Sequence, residues 1–117
     1  MSKNFLLLLP VIILTFISCG KDDSSNVCDG ISPTYTNDVA PIFNGTCTSV
    51  GCHSGEFPAD GMDLSNYVNA KSASLNLNVL KAIKHESGVV AMPQSLPKLS
   101  DDKIKVIECW IENGAPE

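Results

Sequence analysis

The sequence predicts a small all-α domain of short helices. Three observations carry this: apolar residues recur at helical spacing in separate segments, capping residues and glycines bound those segments, and no strand-like alternation stands out. Thr36 is the expected N-cap of the first helix, with Tyr35 before it and Val39, Ile42 and Phe43 on one face as the chain runs towards Cys47. Pro41 falls inside that pattern, so the helix begins close to it or bends there. A loop with Gly51, Gly55, Pro58 and Gly61 follows. Helical patterning resumes from about residue 65 to 73 and again from 75 to 84, where Leu77, Leu80, Ala82 and Ile83 supply the apolar face. Residues 88–97 form a loop containing Pro93 and Pro97. The last helix has the clearest boundaries: Ser100 as N-cap, Asp101 and Asp102 in the first turn, Ile104, Ile107, Trp110 and Ile111 on one face, and Gly114 as the stop.

The chain's 117 residues suffice for one domain, and no internal repeat is present. Residues 5–17, after Lys3, are apolar and uncharged. They are too few to span a bilayer comfortably, so residues 1–18 read as a signal peptide. The stretch ends in Phe16-Ile17-Ser18-Cys19-Gly20, which resembles the lipobox of bacterial lipoproteins, in which the Cys becomes the lipid-modified first residue. An ordinary secretory signal with an incidental Cys is the plainer alternative. Residues 19–33 then form a lipid-anchored polar tether, and residues 34–117 the globular domain. Cys19-Gly20-Lys21-Asp22-Asp23 also resembles the acidic signal that sends some lipoproteins of Gram-negative bacteria to the outer face of the outer membrane, although any short acidic linker would serve as a tether. The expectation is an exported protein, lipid-anchored to the outer membrane on its periplasmic or cell-surface face.

Arg is absent, and removing residues 1–18 takes away Lys3 and no acid, leaving seven Lys against thirteen acidic residues, a net charge of −6. Such a domain is repelled by nucleic acid phosphates and favours partners with basic surfaces. With roughly ninety residues in short helices and long loops, side-chain burial alone gives limited stability, and a large apolar cofactor at the centre relieves that shortage.

The most informative segment is Cys47-Thr48-Ser49-Val50-Gly51-Cys52-His53. Covalent haem attachment needs two thiols for the two vinyl groups and a His beside the second thiol as the ligand to iron. Most such motifs place two residues between the cysteines; this one places four, and Gly51 lets the longer loop fold back. Other readings of the same residues fit less well. Neighbouring Cys52 and His53 are poorly placed to chelate one zinc ion together. A Cys47–Cys52 disulfide is sterically allowed and would give a haem-free interaction module. A Cys-His nucleophile pair has no separate motif for an orienting group.

With that segment, Asp38-Val39-Ala40-Pro41-Ile42-Phe43, Cys52-His53-Ser54-Gly55, Gly61-Met62-Asp63-Leu64-Ser65, Met92-Pro93 and Leu99-Ser100-Asp101-Asp102 leading to Trp110-Ile111-Glu112-Asn113-Gly114-Ala115 together resemble class I cytochrome c domains, closest to the small bacterial lipoprotein type. The resemblance covers about residues 34 to 116. It implies a cytochrome c fold of three to five short helices, with first and last helices crossing around one covalent haem c, His53 as proximal ligand and Met92 as distal ligand. Met62 and His85 are the competing distal candidates. The resemblance also brings Cys28 and Cys109 together, implying a disulfide; the alternative is a buried free Cys109 and a free Cys28 in the tether.

The implied function is electron transfer by a monomer with redox proteins as partners, because His and Met on the iron leave no open position for a substrate. A haem enzyme or gas sensor with an open or labile distal site is the competing class. A haem-free module stapled by disulfides is the third.

Overall fold

The computed structural model describes residues 27–117, so the expected signal peptide at 1–18, the lipidation site Cys19 and most of the tether lie outside the described residues. Among the described residues there are four short α-helices, one π-helical turn, one 3-10 turn and no strand, an all-α architecture. None of these helices is long and apolar enough to cross a membrane.

The first helical segment is capped by Thr34 and not by the expected Thr36. Thr34 Oγ1 accepts the Asn37 N–H at 3.4 Å, and the Asp38 carboxylate accepts the Thr34 N–H at 2.8 Å. That reciprocal exchange resembles a capping box and satisfies two main-chain donors that a helix start leaves open. Thr36 has no such partner four residues on, since residue 40 is Ala. Tyr35 to Val39 then form a π turn, in which the Val39 and Ala40 N–H groups reach back five residues to Thr34 and Tyr35. The wide turn delivers the chain to α1 (Ala40–Thr46) with Pro41 at its start, where the missing N–H has no intrahelical partner to lose. The helix therefore begins beside Pro41, one of the two outcomes expected for it.

Helix α2 (Tyr67–Asn76) starts two residues later than the pattern predicted, because the Asn66 side chain caps it by accepting the Asn69 N–H at 3.0 Å. Helix α3 (Val79–Lys84) buries Val79 and Ile83. Leu77, expected on its apolar face, falls in the break between the two helices and is 53% exposed. Helix α4 (Asp101–Glu112) buries Ile104, Ile107, Cys109 and Trp110. It stops as predicted. Gly114 takes φ +82°, its N–H bonds to Ile111 O at 3.0 Å, and the Ala115 N–H bonds to Trp110 O at 2.8 Å. This is a Schellman termination with glycine, which has no Cβ, at its left-handed position, and Ala115 follows at φ +54°.

Helix α4 packs against the π turn, α2 and α3. At the centre, fully buried Trp110 meets Phe43 edge-on at 6.4 Å between centroids and Tyr35 at 5.9 Å. The chain end closes over this cluster. Pro116 O accepts from Trp110 Nε1 at 2.7 Å and from the Tyr35 N–H at 3.0 Å, and Ala115 O accepts from the Tyr67 hydroxyl at 3.1 Å. A disulfide joins Cys28 to Cys109, with Cα atoms 5.2 Å apart. First and last segments are thus fixed together, and the loops between them are left to form the site.

Candidate functional site

The loop after α1 is folded around His53. The His53 N–H bonds to Cys47 O at 3.0 Å, the Leu64 N–H bonds to His53 O at 2.8 Å, and the Ala59 N–H bonds to Cys52 O at 2.9 Å. Gly51, at φ +80°, turns the four-residue spacer so that Cys52 N–H can reach Ser49 O at 2.9 Å. A local main-chain network therefore positions His53 and both cysteines.

The His53 ring is buried. Its Nδ1 lies 3.2 Å from Met62 O, and because a carbonyl only accepts, Nδ1 carries the proton. In the neutral ring the lone pair then sits on Nε2, the arrangement in which an imidazole serves as a metal ligand.

Two cavities of about 420 and 350 Å³ meet at this ring. Both are lined by Cys47, His53, Ile83 and Met92. The first adds Phe43, Met62, Leu64, Leu77, Val79 and Val90 among its walls; the second adds Cys52, Leu96 and Leu99. Their combined character is a mostly apolar space lined by an imidazole, two thioethers and two thiols. Helix α3 and the loop of residues 88–97 form the side facing His53's own loop.

Cys47 and Cys52 are free thiols, each half-buried, so the spacer is not closed by a disulfide. Burial, and then the neighbouring Cys52, pushes the Cys47 thiol up to about 11. A thiol held protonated is a poor nucleophile at neutral pH, which weighs against Cys47 as the nucleophile of a Cys-His pair. Among the described residues no group of three or more His, Cys, Asp and Glu side chains is arranged to hold a metal ion, and a zinc site therefore has no structural counterpart there.

The three candidates for a second axial ligand occupy different places. Met92 lines both cavities. Met62 lines only the first, and its main chain is engaged behind the His53 ring. His85 lines neither; it is exposed, and its Nε2 lies 3.0 Å from Met92 O. Two contributions were not visible in the sequence, namely the Met62 carbonyl behind His53 and the His85 contact to the Met92 main chain. Both involve backbone acceptors, which leave no side-chain signature.

No protein-family model matches this chain, and comparison with curated proteins and with solved structures found no match.

Proposed function

We propose that this protein is a monohaem c-type cytochrome of the lipoprotein type that carries single electrons. The observation that carries the reading is that Cys47 and His53, close in sequence, and Met92, far along the chain from both, line the same two cavities. The residues present fit a haem. The space is of ligand size and largely apolar, two unpaired thiols stand at one side of it, and the His53 tautomer leaves Nε2 as the basic nitrogen. Haem, when bound, supplies the one-electron chemistry.

The chain's own residues do the rest. Cys47 and Cys52 would provide the two thioether links, and His53, oriented by Met62 O, and Met92 would hold the iron; a thioether ligand favours the reduced state. Ile83, Leu64, Leu96 and Leu99 line these cavities and would help keep water from the group. Cys19 and the polar residues after it tie the domain to the outer membrane after export. The partners are redox proteins with basic surfaces: residues 27–70 carry Asp29, Asp38, Glu56, Asp60 and Asp63 and no Lys or Arg. Attraction of that kind raises the association rate and weakens with salt.

The test is expression of the whole chain with a c-type maturation system, followed by denaturation in acid and extraction with organic solvent. Haem that stays with the polypeptide, with a mass increase located on Cys47 and Cys52, supports the reading. Complete extraction of the haem overturns it.

A further inference from the structure

We propose that His85 is a positioning residue that latches the Met92 segment to the end of α3. The proposal rests on the His53/Met92 reading above and adds to it a device that governs how readily the thioether leaves its place.

The backbone supplies the first observation. His85 closes α3 in the left-handed conformation, φ +60° and ψ +38°, with its N–H on Ala82 O and the Glu86 N–H on Lys81 O. That position is the usual place of a glycine, and a residue with a Cβ is strained there. A side chain kept at a strained site calls for a use. The use is visible in the ring: Nε2 lies 3.0 Å from Met92 O, and since that oxygen only accepts, Nε2 is the donor.

The second observation is that Met92 is held at both of its main-chain groups. Its N–H bonds to Ala82 O at 3.0 Å, and its C=O takes the His85 ring. Both anchors belong to the C-terminal end of α3. Two bonds to one rigid element fix the orientation of the peptide, and with it the direction in which the Met92 side chain leaves the backbone. The element is itself secured: Val79 and Ile83 are buried, and Lys84 pairs with Glu108 on α4. By contrast, residues 86–100 contain no regular helix. Without the His85 bond, one end of the Met92 peptide is released into a loop with little else to hold it.

The His85 bond is exposed to solvent, so its removal changes global stability little. Its effect falls on local opening of the loop, the step that lets a small external ligand reach the place of the thioether. The position also permits a separation of backbone from side chain. His85→Gly relieves the left-handed strain and removes the donor, whereas His85→Gln keeps a donor at nearly the same reach.

The experiment uses the full haem-loaded chain and measures cyanide association to the ferric protein, the sulfur-to-iron charge-transfer band and the thermal midpoint. In His85→Gly the midpoint stays or rises, the band remains, and cyanide enters about five- to tenfold faster, the factor expected for loss of one hydrogen bond. His85→Gln returns the rate most of the way to wild type. A wild-type rate in His85→Gly, or an acceleration that merely follows a lowered midpoint in both variants, overturns the latch. A wild type lacking covalent haem, or lacking the band, instead overturns the ligation reading. In that event the latch is read from amide exchange at Met92: a five- to tenfold faster exchange in His85→Gly sustains the clamp, and an unchanged rate overturns it.

Discussion

The imidazole of His53 is backed by the main-chain carbonyl of Met62, Nδ1 to oxygen at 3.2 Å. The backbone of one methionine thus stands behind the His53 ring, while another, Met92, lines the two cavities that His53 also lines. Under the proposed function the two methionines would have separable roles: Met62 would contribute a carbonyl that any residue supplies, and Met92 its sulfur.

That division predicts opposite outcomes for two substitutions. Met92→Ala removes the thioether and should abolish the sulfur-to-iron charge-transfer band, lower the potential and admit carbon monoxide. Met62→Leu keeps the carbonyl and nearly the volume, costs about 1 kcal/mol or less, and should leave the band in place. Reduced and oxidised spectra of the two variants, with and without carbon monoxide, check this. An unchanged band in Met92→Ala, or its loss only in Met62→Leu, refutes the assignment.

The Cys47 thiol gives a prediction for the haem-free chain. Burial and the adjacent Cys52 raise it from its ordinary value near 9 to about 11. The charged form of a thiol is the deprotonated one, so between these values the folded chain keeps a proton that the unfolded chain has released. The resulting stability is complete below pH 9 and lost as pH rises through 11. In the same state Cys47 should alkylate slowly at pH 8. The smaller thiolate fraction, partly offset by the greater nucleophilicity of a more basic sulfur, makes it about tenfold slower than in urea. Iodoacetamide labelling resolved by peptide mass measures it; equal rates in folded and unfolded chain would show that the thiol is not shielded.

How far the sequence led depended on whether a feature was written in neighbouring side chains. Helix α4 was legible at both ends because Asp101, Asp102 and Gly114 each act within one turn of their own position; Ser100 holds the N-cap position without a side-chain hydrogen bond. The start of the first helix was misplaced by two residues because threonines flank Tyr35 on both sides, and only the carboxylate of Asp38 decides between them. Leu77 looked like part of an apolar face, yet the end of α2 and the late start of α3 leave it in the break between them. At the site, the Cys47-to-His53 segment announced its own loop. Met92 was expected as ligand from the resemblance alone; the main-chain contacts of Met62 O with His53 and of Met92 O with His85 are ones that periodicity does not encode.

The last prediction concerns the place where the domain meets its tether. Cys28 stands at the N-terminal edge of the described chain, 81 residues before Cys109 on the buried face of α4. In chain-entropy terms, a bridge closing so long a loop contributes on the order of 4 kcal/mol by restricting the unfolded state, and less where that state keeps residual structure. It is not the sole attachment of this segment. Asn113 Nδ2 donates to Ile31 O at 3.0 Å, and the Tyr35 N–H donates to Pro116 O at 3.0 Å, so the segment stays docked when the bridge is absent. The pair Cys28→Ser with Cys109→Ala should therefore fold and keep haem, yet lose about 2 to 4 kcal/mol, a fall of about 2 M in the urea midpoint. Cys109→Ala is chosen because Cys109 is fully buried and a hydroxyl there would lack solvent. Wild type under reductant, with loss of the bridge verified by thiol mass labelling, should unfold at the midpoint of the double variant. A midpoint unmoved by verified reduction would show that the contacts of Ile31, Tyr35 and Pro116 alone secure the N-terminal edge.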